Sequence, residues 1–108
     1  MKFLVIVEAV PGGPLMPPEQ SLALAKAQWA WSRKTQETGM VEVVYGLADH
    51  AGGLMGGFAI VNYESAEQLA EALATMPAAG LATVKMYPLV APEVTEKIIE
   101  GALAQLPK

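Results

Sequence analysis

The sequence predicts an α+β domain with the element order β-α-β-β-α-β-α, a ferredoxin-like split βαβ unit followed by a terminal helix. Three observations predict it. Short β-branched runs alternate with stretches of helical periodicity. A glycine-rich connection joins the second and third runs, where two antiparallel strands need only a hairpin. The 108 residues, read as one domain over 1–108, suffice for one such unit and not two. Short connections and right-handed crossovers then give a four-stranded antiparallel sheet in the order 4-1-3-2.

Lys2 to Ala9 is a continuous apolar run, the pattern of a strand buried on both faces. Its first residues are similar to a short signal core. They then meet Glu8 and a Pro/Gly stretch without a small-residue cleavage pattern, so the run reads as a strand. Val10 to Pro18 holds four prolines and two glycines and reads as a loop. Pro18 opens a helix and Glu19 complements its N-terminal dipole. Gly39 offers a left-handed stop after Thr38. Trp29 and Trp31 are about 200° apart on this helix. One is expected to pack on the sheet and the other to need a second surface.

Met40 to Leu47 reads as the second strand, with Val41, Val43 and Tyr45 on one face and Glu42, Val44 and Gly46 on the other. Ala48 to Gly57 reads as a long hairpin connection whose ends can extend the strands. Phe58 to Tyr63 is the third strand. Ser65 and Gln68 form a capping box, opening a helix that stops before Pro77. Leu81 to Val90 is the fourth strand. Pro92 opens a third helix with Val94, Ile98 and Ala102 on one stripe. The first two helices cover one face of the sheet. The other face is also apolar, and a second sheet from another copy would cover it. The expected assembly is a dimeric α/β barrel, a dimer or larger, with the third helix latching across the partner.

Composition narrows the function. A net charge of −4 and pI near 4.8 argue against nucleic acid, which demands concentrated Lys and Arg. The apolar share is 53%, but 18 residues are alanine and no apolar run approaches a bilayer span. No membrane partner is expected, and the location expected is cytoplasmic. One His and no Cys leave no obvious metal cage and no disulfide. No phosphate loop or dinucleotide fingerprint occurs. Only 17% of residues are charged, few for a surface, which also suggests a partner subunit.

Four segments carry a resemblance: Tyr45-Gly-Leu-Ala-Asp-His50, Phe58-Ala-Ile-Val-Asn-Tyr63, Ser65-Ala-Glu-Gln-Leu69 and Leu73-Ala-Thr-Met-Pro77. In content and spacing, residues 40–90 resemble the muconolactone isomerase family. The resemblance implies a dimeric α/β barrel that assembles further and works without metal or cofactor. It also implies proton transfer on an unsaturated lactone from aromatic breakdown. The sequence departs from that family in two longer stretches, the Pro/Gly loop after strand one and the Gly-rich stretch after His50. The wider superfamily also holds cofactor-free monooxygenases and cyclases, and a non-catalytic oligomerising or ligand-storing domain is a further alternative.

The candidate site is drawn from a short list. His50, the sole histidine, titrates near neutrality and can shuttle a proton; the resemblance carries most of this assignment. Glu8 ends an apolar strand, where desolvation would raise its basicity. The substrate-binding candidates are Tyr45, Tyr63, Lys85 and Trp29. A tyrosine or Lys85 would steady an enolate-like charge, and Trp29 would stack on a planar ligand. Each has a structural alternative: packing for the aromatic residues, a paired or solvated charge for Glu42 and Lys85, and dipole complementation for Arg33 and Lys34. The ligand expected is small, planar and anionic.

Overall fold

The computed structural model describes residues 1–9, 17–48 and 54–107. Its elements are β1 (Lys2–Ala9), α1 (Pro18–Glu37), β2 (Val41–Ala48), β3 (Leu54–Asn62), α2 (Ala66–Leu73), β4 (Ala82–Pro88) and α3 (Pro92–Ala104). The strands form one sheet in the order β2-β3-β1-β4, which is the expected 4-1-3-2 order read from the other edge, and every neighbouring pair is antiparallel.

Local chemistry sets the boundaries. Pro18 occupies the first turn of α1, where its missing N–H costs nothing, and Gly39 at φ +83° turns the chain after Thr38. The Ser65 hydroxyl accepts the Gln68 N–H at 3.2 Å and caps α2. α2 ends three residues earlier than its pattern suggests. Thr75 and Met76 donate instead to Ala72 and Leu73, tightening the chain into turns ahead of Pro77.

One face of the sheet carries Phe3, Val5, Ala59, Val61 and Val84, and the helices lie over it. Phe3, Val5, Val61 and Leu69 of α2 are the buried centre, each at most 5% exposed. The opposite face carries Leu4, Ile6, Phe58 and Ile60, with Lys85 and Tyr87 beside them on β4. No element among the described residues covers it, and Tyr45 there is 62% exposed.

The register of β2 departs from strict alternation. Val41 pairs with Val61 but Val43 pairs with Ile60, so Glu42 is the extra residue of a β-bulge. Beyond the bulge the faces exchange. Val41 and Val44 share the helix-covered face, while Glu42, Val43 and Tyr45 share the open one. The bulge is stabilised by its own side chain: Glu42 Oε1 accepts from Asn62 Nδ2 at 2.7 Å and pairs with Lys2 Nζ at 3.2 Å.

α3 projects from the body. All its residues are exposed, including Val94, Ile98, Ile99 and Leu103 at 45–62%. The Cα radius of gyration, 17.3 Å, accordingly exceeds the ~13 Å of a compact chain this long.

Candidate functional site: an aromatic cavity under the first helix

A cavity of about 350 Å³ lies between α1 and the helix-covered face of the sheet. Its floor is made by Val5, Val7, Val44 and Ala59, and α2 with the turn after it closes one end through Leu69, Met76 and Ala78. The floor stays low because Gly57 has no side chain. A Cβ there would stand 2.9 Å from the Tyr45 carbonyl oxygen and 3.9 Å from Cζ2 of Trp29.

The wall supplied by α1 explains where both tryptophans go. Ser21, Gln28, Ser32 and Thr35 all line the cavity. At 100° per residue these four fall within a stripe roughly 60° wide. This stripe, with Leu24 and Ala25 at its edges, faces the sheet. Trp29 and Trp31 sit roughly 80° to either side of it, half-buried, and both line the cavity. The expectation that only one tryptophan could reach the sheet is therefore corrected. Their opposed directions flank the sheet-facing line, so the two indoles form opposite shoulders of one site.

Helix hydroxyls in this wall are satisfied locally. Ser32 Oγ donates to the Gln28 carbonyl at 3.0 Å, and Thr35 Oγ1 to the Trp31 carbonyl at 2.8 Å. Gln28 reaches across instead. Its Oε1 accepts the Ala78 N–H at 3.0 Å and its Nε2 lies 3.3 Å from the Met76 sulfur. That side chain ties α1 to the turn after α2 and fixes one dimension of the cavity.

Tyr63 follows β3 on the helix-covered side and lines the cavity, half-buried. Desolvation raises its phenol above the ordinary tyrosine value. The group thus stays protonated, a hydrogen-bond donor, across the physiological range. Glu8 borders the cavity near the end of β1, half-buried, but it alternates with Val7 and so turns its carboxylate to the open face with Leu4 and Ile6.

Of the residues singled out from the sequence, the cavity brings together Trp29 and Tyr63, and Glu8 borders it with its carboxylate on the other face of the sheet, where the acid–base role expected of it does not reach the cavity. Tyr45 and Lys85 lie on the open face. Tyr45 stacks on Phe58 with ring centroids 5.7 Å apart, and Lys85 is exposed opposite Ile6. Glu42 is on that face too, and its bond from Asn62 followed by the Lys2 ammonium lowers its carboxyl below the usual glutamate value. His50 and the glycines at 52 and 53 lie outside the described residues. The polar stripe of α1 is the feature that sequence reasoning passed over. The spacing 21-28-32-35 was visible, but polar side chains on a helix are ordinarily assigned to solvent.

Among the described residues no three His, Cys, Asp or Glu side chains cluster as a metal site. No helix among them is long and apolar enough to cross a membrane.

Comparison with solved structures places this geometry. Muconolactone isomerase superposes with a TM-score of 0.67 at 19% identity, covering 85% of this chain and 92% of that one. The chain has the muconolactone isomerase fold. The same architecture is shared by 5-chloro-2-hydroxyhydroquinone dehydrochlorinase (TftG) from Burkholderia phenoliruptrix AC1100, solved with 2,5-dihydroxybenzoquinone. It has a TM-score of 0.67 at 18% identity and covers 87% of this chain and 98% of that one. At such identities the likeness speaks for the fold. No protein-family model matches the sequence, and no characterised protein matches it by sequence.

Proposed function

We propose that this chain is a small enzyme that moves a proton on a planar ring compound held in the cavity under α1. The observation carrying this reading is the cavity itself, about 350 Å³ with two tryptophans and a tyrosine on its lining. That is the size and mixture of a small-molecule site, apolar walls with a few polar groups to fix orientation. The names of the two structural neighbours, an isomerase of a lactone and a dehydrochlorinase of a ring compound, support the class of chemistry.

In this scheme the indoles of Trp29 and Trp31 bracket the ring faces. The Tyr63 phenol donates to the ring carbonyl and stabilises the enolate-like oxygen as the proton leaves. His50 takes and returns that proton. The chain's own side chains carry every step.

The open sheet face and α3 supply the assembly. An accessible surface of 7864 Å² exceeds the ~5,800 Å² of a compact monomer of 11.4 kDa. The excess is more than the ~800 Å² that each partner of a stable interface buries. A second copy would cover Leu4, Ile6, Phe58 and Tyr45 and receive the apolar stripe of α3. Ile6→Lys should then yield a monomer by analytical ultracentrifugation at micromolar concentration. A monomeric wild type would contradict the assembly.

The catalytic reading is tested with a neutral butenolide such as α-angelica lactone, whose double-bond shift into conjugation is followed by ultraviolet absorbance. The wild type should accelerate the shift. Tyr63→Phe and His50→Ala should each lower kcat by about a hundredfold. Binding without any acceleration over a panel of butenolides and hydroquinones would leave a ligand-binding protein and refute the enzyme.

A further inference from the structure

We infer that the cavity selects uncharged ring compounds, neutral lactones, phenols or quinones, and rejects ring carboxylates of the same size. This rests on the cavity being the ligand site, and it narrows the substrate class. It departs from the anionic ligand expected from the sequence, which would need a cation at the site.

The cations are elsewhere. Among the described residues no lysine or arginine lines the cavity. Lys2 is engaged with Glu42 on the open face, 3.2 Å away, and Lys85 stands exposed on the same face. Lys26, Arg33 and Lys34 are exposed on α1, and Arg33 Nη1 is bonded to Gln36 Oε1 at 3.0 Å. Lys97 lies on the projecting α3. Of the residues outside the described part, only His50 and Lys108 are basic.

Among the described residues the lining offers a carboxylate no cation in exchange for its water. Ser32 and Thr35 spend their hydroxyl protons on helix carbonyls, and Gln28 donates to a sulfur. Tyr63 brings a phenol donor and the two indoles their N–H groups, all of them neutral. A ring carboxylate entering here would lose its hydration and gain only neutral hydrogen bonds for its charge. A neutral ring with one or two oxygens meets apolar walls, two indole faces and donors enough for its oxygens.

A matched pair tests this: hydroquinone against 2,5-dihydroxybenzoate, which differs by the carboxylate alone. Isothermal titration of the full-length wild type at pH 7 should give hydroquinone binding tighter by about tenfold or more. Ser21→Lys, which sets an ammonium on the cavity lining at an exposed position, should narrow or reverse the ratio. Equal or tighter binding of the carboxylate by the wild type overturns the selectivity while leaving the cavity as the site. Binding of neither compound, nor of any neutral lactone, overturns the site and the selectivity together.

Discussion

Gln28 is the side chain on which the shape of the cavity most depends, and its removal has a calculable cost. Its Oε1 is the acceptor for the N–H of Ala78, a residue only 8% exposed, and its Nε2 rests on Met76, 5% exposed. Gln28→Ala leaves the Ala78 N–H without that acceptor, a penalty of about 1–3 kcal/mol. The lost methylenes, partly buried, add up to about 1 kcal/mol. The sum is about 2–3 kcal/mol, or roughly 10 °C in melting temperature for a domain of this size. Circular dichroism at 222 nm, read at one fixed protein concentration because association shifts the midpoint, measures it. Gln28→Met separates the two contributions. It keeps length and apolar contact but removes the acceptor, so it should retain most of the hydrogen-bond penalty. Melting within about 1 °C of wild type for Gln28→Ala would refute the reasoning. The contact between α1 and the turn after α2 would then be incidental.

Two further outcomes follow from the same geometry. Gly56 sits in β3 at φ +152°, and a Cβ there would collide with the Val7 carbonyl oxygen. Gly56→Ala should therefore cost about 2–3 kcal/mol, lowering the urea midpoint with little change in slope. An unchanged midpoint would show that the strand relaxes freely. Tyr63 is raised in the folded chain by desolvation, so the folded state holds its proton to higher pH than the unfolded one. Its contribution is complete below the unfolded tyrosine value and is lost as pH climbs toward the folded one. Phenolate absorbance near 295 nm should show one late-titrating tyrosine that disappears in Tyr63→Phe. A late transition that survives the substitution belongs to another residue.

The fold was largely legible because its signals are local. β-branched runs, Pro18 and Pro92 at helix starts, Gly39 at a helix end and the Ser65–Gln68 box each specify one boundary without reference to the rest of the chain. The sheet order then follows from handedness and short connections. The faces of β2 were not legible. A bulge at Glu42 shifts every later residue to the other side, and its cause is nonlocal: Lys2 and Asn62 on the two paired strands β1 and β3. This shift put Tyr45 outside the cavity and Val44 within it. The candidate site was legible in part. Trp29 and Tyr63 are residue types that stand out, whereas the stripe Ser21, Gln28, Ser32 and Thr35 has the composition of a solvated face. It is carried inward by the apolar residues on its two sides, Leu24 with Trp31 and Ala25 with Trp29, which the helix buries together.

The proposed function requires ligand to bind under α1 and not on the open face of the sheet. A crystal of the wild-type protein soaked with hydroquinone tests this directly. Density is expected between the Trp29 and Trp31 indoles, within hydrogen-bond distance of the Tyr63 hydroxyl. Density on the open face, against Tyr45 and Lys85, with the cavity under α1 empty, would contradict it.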